Sequence, residues 1–236
     1  MSRLGFELLC AQVLEALPAA PATVVDAGGG TGQLAVALAG HGYRVTVVDT
    51  SAAMLATCAQ RAADEGGGMA ERVTGVQGDA ADLPGLLGEG SQDAAVCHDL
   101  LTRVDDQAAL LASLAGALAA GGVLSLGFAN RDWLALRAGR RGDHATALRL
   151  AGGGEALTLA EAEAELDKAG FELVTASGVG VFADAGDDDL GPGELATLVE
   201  LERLVAGREP YRSSARTLHL IARRRVFRPD LTGYTP

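Results

Sequence analysis

Five short apolar runs, rich in valine and alanine, recur along the first half of the sequence. They lie at residues 23–25, 44–48, 72–76, 93–97 and 123–128. Between them are alanine- and leucine-rich segments, such as residues 51–64 and 107–119, which are long enough to form helices that cross over a sheet. Strands that alternate with helices at this spacing form right-handed βαβ units, which build one parallel sheet covered on both faces. The pattern therefore predicts an α/β fold with a Rossmann-like, doubly wound, mostly parallel sheet.

The pattern changes after Phe128. Arginines become frequent between residues 131 and 149, in a stretch that ends in three consecutive glycines, and this predicts a small helical insertion. A helix should follow, because Thr158 and Glu161 have the spacing of a capping box. The remaining elements are predicted as a helix over 158–169, a strand over 171–182, a helix over 194–205 and a final strand over 215–222. We expect this final strand to run antiparallel to its neighbours.

The charge balance limits the classes of partner. The chain has 31 acidic and 19 basic residues among 236, a formal net charge of −12. A long basic groove for duplex DNA is incompatible with this balance, whereas a local cluster of arginines can still hold RNA. Arg131, Arg137, Arg140 and Arg141 are such a cluster, and they are either a phosphate-contacting face or an ordinary solvated surface.

The cysteines and the hydropathy pattern indicate a cytoplasmic protein. Three cysteines without a CxxC pair predict neither a disulfide framework nor a zinc site, and no other metal site is expected. The N-terminus lacks the features of a signal peptide, and no apolar run approaches the roughly 18 residues of a membrane span.

A glycine-rich turn after the first strand is the strongest local signal of a ligand site. Asp26 ends the strand, and Gly28, Gly29, Gly30 and Gly32 precede the next helix. Glycines let the backbone turn tightly and approach a ligand, and the start of the helix presents free N–H donors. The spacing is D-x-G-x-G-x-G, which differs from the G-x-G-x-x-G that binds a dinucleotide pyrophosphate.

Polar residues at the ends of the next three strands are candidates for the same site. Asp49 follows the second strand, where an acid can accept hydrogen bonds from both hydroxyls of a ribose. Asp79 follows the third strand. His98 ends the fourth strand, where it can contact a cofactor, receive a proton or simply fill space.

The glycine turn resembles that of the class I S-adenosylmethionine methyltransferases, in which the acid before the glycines helps to orient the ammonium end of the cofactor. The resemblance implies S-adenosyl-L-methionine as the cofactor, and Asp79 as the acid that takes the exocyclic amine of its adenine. The implied cofactor-binding residues are Arg3, Asp26, Gly28, Gly29, Gly30, Gly32, Asp49, Thr50, Met54, Asp79, Ala80 and His98.

The second half resembles the bacterial tRNA (5-carboxymethoxyuridine) methyltransferases. The similarity is carried by residues 178–184 and by Glu209, Pro210, Tyr211, Arg216 and His219. It implies methylation of a carboxylate on a wobble uridine, with Tyr211 and Arg216 positioning the substrate. This chain departs from the family at two places: an arginine expected at Gly5 has its nearest equivalent in Arg3, and Gly180 replaces the arginine of a G-V-R-V-F motif.

On this interpretation the chain, 1–236, is one methyltransferase domain. It divides into an N-terminal helix (1–22), a cofactor-binding half (23–128), the helical insertion (129–157) and a substrate-side half (158–236). The methyl acceptor is either tRNA or a small anionic metabolite, with no membrane or duplex DNA as a partner, and the oligomeric state stays open. A small-molecule O-methyltransferase and a non-catalytic cofactor-binding protein are the alternatives; an oxidoreductase is disfavoured by the glycine spacing.

Overall fold

The computed structural model describes residues 3–154, 156–183 and 189–226. These residues form one sheet of seven strands. The strands are β1 (Thr23–Ala27), β2 (Arg44–Asp49), β3 (Val73–Gln77), β4 (Gln92–His98), β5 (Leu118–Ala129), β6 (Phe171–Val179) and β7 (Thr217–Arg224).

Ten α-helices accompany these strands in the described ranges. They are α1 (Arg3–Ala16), α2 (Gln33–Gly40), α3 (Ala52–Glu65), α4 (Met69–Arg72), α5 (Leu83–Leu87), α6 (Gln107–Ala117), α7 (Arg131–Arg140), α8 (His144–Ala151), α9 (Leu159–Lys168) and α10 (Pro192–Val205). No helix in this part of the chain combines the length and the apolar character that a membrane span requires.

The strand order is β3-β2-β1-β4-β5-β7-β6. β1 to β5 pair in parallel, whereas β7 runs antiparallel to both β5 and β6. The predicted mostly parallel sheet with an antiparallel final strand is therefore confirmed. The strand order reverses between β1 and β4, and in open α/β sheets the carboxyl ends of the strands at such a point form a binding crevice.

Both faces of the central strands are buried. Val24, Val45 and Val96 pack into an apolar cluster on one face, and Val25 and Ala95 pack into a second cluster on the other. Burial on both faces explains why these strands appear in the sequence as continuous apolar runs rather than as alternating ones.

Side-chain caps set several element boundaries. Thr158 and Glu161 form the predicted capping box at the start of α9. The predicted strand over 171–182 was too long, because β6 ends at Val179. Beyond that residue, the buried carboxylate of Glu202 accepts the backbone N–H groups of residues 180–183 and so removes them from strand pairing. The segment predicted as a helical insertion contains α7 and α8.

Candidate active site

A cleft of about 510 Å³ opens where β1 and β4 end. Asp26, Gly28 and Gly29 line it from the β1 side, and His98 and Asp99 line it from the β4 side. Arg3 also lines the cleft, although its side chain is largely exposed and pairs with Glu7 at 3.0 Å. The fold thus brings two of the sequence motifs, the glycine turn with Asp26 and the β4 end with His98, to the reversal point of the sheet.

The glycine turn is constrained by both its backbone and its packing. Gly28, Gly30 and Gly32 have φ angles of +69°, +54° and +70°, in the left-handed region that favours glycine. A Cβ on Gly32 would lie 2.2 Å from the sulfur of Cys58. A Cβ on Gly29 would lie 2.4 Å from the Asp26 carboxylate, so this glycine lets the chain pass directly over the acid.

Asp26 is the most unusual acid of the site. Its side chain is 4% exposed, and within the described residues it accepts no hydrogen bond. Burial raises the pKa of its carboxyl from 3.8 to about 7, and the negative charge of Asp49 acts in the same direction. A buried carboxylate that faces a cleft without a partner is suited to receive a cationic group. The ammonium and sulfonium of S-adenosylmethionine are such groups, and so the site fits this cofactor.

Asp49 ties the tip of β2 to the glycine turn. One carboxylate oxygen accepts the N–H of Gly30 at 3.0 Å, and the other accepts the N–H of Ser51 at 2.9 Å. Each oxygen retains a lone pair, because a carboxylate offers about four acceptor positions. Asp49 can therefore hold the turn and still accept the hydroxyls of a ribose.

The other predicted cofactor residues extend from the cleft along the same sheet edge. The backbone of Gly78 donates to the carbonyl of Asp49 at 3.2 Å, which brings the tip of β3 beside β2. Asp79 accepts the N–H of Ala81 at 2.9 Å, and Ala80 is buried. Thr50 and Met54 follow Asp49, and the Met54 side chain is 45% exposed. These four residues, like Asp49 itself, are not among the residues that line the cleft.

A second, smaller cavity of about 180 Å³ adjoins the cleft. Asp99 lines both cavities, and Trp133, Arg137 and Arg216 line the smaller one. The guanidinium carbons of Arg137 and Arg216 lie 5.1 and 5.8 Å from the centre of the Trp133 ring. Both distances are typical of a cation–π contact. We refer to the cavity formed by these three side chains as the arginine–tryptophan pocket.

Tyr211 does not join Arg216 in this pocket. Tyr211 is 40% exposed, and its ring packs against Phe182 with centroids 5.8 Å apart. Gly180 has a φ of +74°, and a Cβ there would lie 3.4 Å from that of Arg216. The glycine that replaces the family arginine therefore packs directly beside Arg216.

Arg131 does not belong to a phosphate-contacting face. Its guanidinium pairs with Glu161 at 2.6 Å, and its side chain is only 12% exposed. It also donates to the carbonyl of Ala156 at 3.2 Å. These contacts attach the start of α7 to α9, so Arg131 is a structural residue. Of the other arginines in the cluster, Arg137 lines the arginine–tryptophan pocket, and Arg140 and Arg141 are exposed.

Sequence reasoning missed Asp99, Trp133 and the pairing of Arg137 with that tryptophan. Asp99 is the one described residue other than glycine with a positive φ, +57°, and such strain is frequent at functional sites. Trp133 is the single tryptophan of the chain, and Arg137 follows it by one helical turn. The spacing of four residues was a usable signal for their contact.

The comparisons with known proteins agree with this geometry. The methyltransferase domain family matches residues 25–126, which include the glycine turn, Asp49, Asp79 and His98. A crystal structure described as a possible histamine N-methyltransferase from Thermotoga maritima has the same fold, with a TM-score of 0.67 at 20% identity. That likeness covers 94% of this chain and 91% of the other. Fold and site together define an S-adenosylmethionine-dependent methyltransferase.

The sequence relatives narrow the class to a family. The chain is 30% identical to the tRNA 5-carboxymethoxyuridine methyltransferase of Escherichia coli K12 over 210 residues, which cover 85% of this chain and 79% of that protein. A ubiquinone biosynthesis O-methyltransferase of Xanthomonas campestris is 34% identical over 116 residues, 49% of this chain and 46% of the other. The chain belongs to the family of tRNA 5-carboxymethoxyuridine methyltransferases.

Proposed function

We propose that this enzyme methylates a carboxylate on a modified uridine of tRNA. The observation that carries the proposal is the arginine–tryptophan pocket, which adjoins the cleft at Asp99. Arginine is suited to clamp a carboxylate, and an aromatic ring is suited to stack on a base. The E. coli relative, named for a carboxylated tRNA uridine, supports the same choice of acceptor.

The residues at this edge of the sheet divide the work of holding the cofactor. When bound, S-adenosylmethionine supplies a methyl group on a positively charged sulfur. Asp26 receives the cationic end, and the glycine turn lets the backbone approach it closely. Asp49 accepts hydrogen bonds from the ribose hydroxyls, and Asp79 accepts one from the adenine amine.

A carboxylate acceptor matches the weak basicity of the site. Burial lowers the pKa of His98 to about 4, so the ring is neutral near neutral pH and is a poor general base. A carboxylate is already ionised under these conditions and needs no base. The residues then act by aligning the acceptor oxygen and by excluding water, with Arg216 and Arg137 balancing the negative charge.

The outward arginines after α7 support an RNA acceptor. Arg140 ends α7, the helix whose Arg137 lines the pocket, Arg141 follows it, and Arg149 lies in α8. Arg140 and Arg141 are both exposed, so both are available to phosphates. On a chain with net charge −12, such a local basic face is the kind of surface that contacts a nucleic-acid backbone.

A small-molecule O-methyltransferase is the second candidate. The volume of the arginine–tryptophan pocket, about 180 Å³, suits a small acceptor, and half of the chain is similar to ubiquinone biosynthesis O-methyltransferases. Such an enzyme would not need the outward arginines.

Transfer of a radiolabelled methyl group distinguishes the two candidates. Purified enzyme and labelled S-adenosylmethionine are incubated with tRNA that carries 5-carboxymethoxyuridine, with the same tRNA carrying unmodified uridine, and with an RNA-free metabolite extract. We expect label only in the first sample, in a form released by mild alkali, as for a methyl ester. Label confined to the extract would refute the tRNA assignment, and base-stable label in the RNA would refute the carboxylate.

A further inference from the structure

Four side chains form a hydrogen-bonded chain from α1 to the cleft. The Nε2 atom of His98 lies 2.9 Å from the hydroxyl of Ser125, and the same hydroxyl lies 2.8 Å from Nε2 of His219. The Nδ1 atom of His219 lies 2.8 Å from Oε1 of Gln12. Ser125 is fully buried and His219 is 1% exposed. We call this chain, Gln12–His219–Ser125–His98, the histidine relay.

Counting protons along the relay determines the direction of each hydrogen bond. The serine has one hydroxyl proton, so it can donate to only one of the two rings and must accept from the other. Burial lowers the pKa of both rings, so each is neutral and carries one proton. Since Oε1 of Gln12 is an acceptor, the proton of His219 lies on Nδ1, and its Nε2 accepts from Ser125.

The same count fixes the proton of His98. Ser125, having donated to His219, must accept from Nε2 of His98, which leaves Nδ1 of His98 with a lone pair. Within the described residues this nitrogen has no hydrogen-bond partner, and His98 lines the cleft. The ring cannot shift easily, because a Cβ at Gly127 would lie only 3.0 Å from its Cδ2 atom, which shows how closely strand β5 covers it.

We propose that Gln12, His219 and Ser125 are positioning residues that hold His98 as the Nε2–H tautomer, so that its Nδ1 atom accepts a hydrogen bond from an N–H or O–H group in the cleft. Given the proposed function, that donor is the ammonium of the cofactor, because a carboxylate acceptor has no proton to give. The lone pair of Nδ1 would repel a carboxylate oxygen, and this directs the acceptor towards the arginine–tryptophan pocket.

The reverse direction is the main alternative. If the amide of Gln12 were rotated, its NH₂ group would donate to Nδ1 of His219, and Nε2 of that ring would donate to Ser125. The buried serine proton would then be donated to Nε2 of His98, and Nδ1 of His98 would carry the proton of that ring. The two arrangements have the same heavy-atom positions, but they present opposite groups to the cleft. A purely space-filling role for the ring would require neither arrangement.

Nitrogen NMR of the free enzyme separates these possibilities. The protein is labelled with ¹⁵N-histidine, and the two ring nitrogens of each of its four histidines are observed through their long-range couplings to ring protons. A His219→Gln variant assigns the buried pair. We expect Nδ1 of His98 to give the signal of an unprotonated nitrogen and Nε2 that of a protonated one.

Variants of Gln12 test the positioning role, because this residue is only partly buried and tolerates substitution better than Ser125. Gln12→Leu should convert His98 to a mixture of tautomers, whereas Gln12→Glu, which can only accept, should retain the Nε2–H form. Glu15→Gln, on the same helix and outside the relay, is the matched control and should change nothing. Cofactor affinity, measured by calorimetry without any methyl acceptor, should fall about 3- to 10-fold in Gln12→Leu and recover in Gln12→Glu.

A proton on Nδ1 of His98 in the wild type would overturn the proposal, as would an unchanged tautomer in Gln12→Leu. Both measurements use the free enzyme or the cofactor alone. The expected tautomer together with a failure to methylate tRNA would therefore refute the proposed acceptor and leave the relay standing.

Discussion

Replacement of Asp26 by asparagine should make the unliganded enzyme more stable and its cofactor binding weaker. The carboxyl is buried and unpaired among the described residues, and its pKa is raised from 3.8 to about 7. Between these two values the folded state binds more protons than the unfolded state. The stabilising effect of the protonated acid is complete below about pH 4, and it is lost as the pH rises through 7. Asparagine has the same shape and no charge, so it avoids this loss.

The difference between the two pKa values corresponds to at most about 4 kcal/mol of unfolding free energy at pH 8. The asparagine amide also loses water on burial, so we expect a net gain of about 1–3 kcal/mol. For a chain of this length, that gain raises Tm by about 3–8 °C at pH 8 and by little at pH 4. Thermal melts at both pH values measure the effect, with Asp64→Asn on the exposed face of α3 as the control.

The same substitution removes the charge that receives the cofactor. We expect affinity for S-adenosylmethionine to fall about 10-fold or more, the loss of one charge-assisted hydrogen bond. In the wild type at pH 6, binding should release a proton from Asp26, which calorimetry detects in buffers of different ionisation enthalpy. This account of Asp26 would be refuted by an asparagine variant that is less stable than the wild type at pH 8. It would also be refuted by a variant that binds the cofactor with the same affinity and still releases a proton on binding.

Three further perturbations test the turn, the pocket and the end of β6. Gly30→Val should abolish cofactor binding, because residue 30 has a φ of +54°, which valine does not readily adopt. The thermal melt should stay cooperative, because no protein atom lies closer than 4.0 Å to a new Cβ at this position. Normal binding would show that the turn does not hold the cofactor. Arg216→Ala should leave cofactor affinity intact and lower turnover about 10- to 150-fold. Arg223→Ala, on the exposed part of β7, is the control and should leave turnover unchanged. An equal loss of turnover in the two variants would show that Arg216 is not part of the site. Glu202→Gln should lower the unfolding free energy in urea by about 1–3 kcal/mol, because the carboxylate accepts four backbone N–H groups, and a change below about 0.5 kcal/mol would contradict that role.

The sequence by itself determined the sheet and predicted the glycine turn at its edge. Runs of valine and alanine between helical segments predict buried parallel strands, and the glycines after Asp26 predict the turn, because both signals depend on neighbours in the chain. The carboxyl ends of parallel strands share one edge of the sheet, so the order of the strands and motifs along the chain predicts that Asp26, Asp49, Asp79 and His98 lie along that edge. Of these four residues, Asp26 and His98 line the cleft. The arginine–tryptophan pocket was not predicted, although Arg216 was.

Only the tertiary structure decided which distant residues meet. Gln12 and His219 are 207 positions apart, and they reach Ser125 and His98 because β7 pairs with β5 in one particular register. Trp133 meets Arg216 for a related reason, since α7 begins where β5 ends, beside the start of β7. Nothing in the local pattern of an apolar strand states its register, because shifting the pairing by two residues leaves the same faces buried. The register is set by packing of the whole sheet. The histidine relay and the contact between Trp133 and Arg216 depend on this register, so they can be identified only in the tertiary structure.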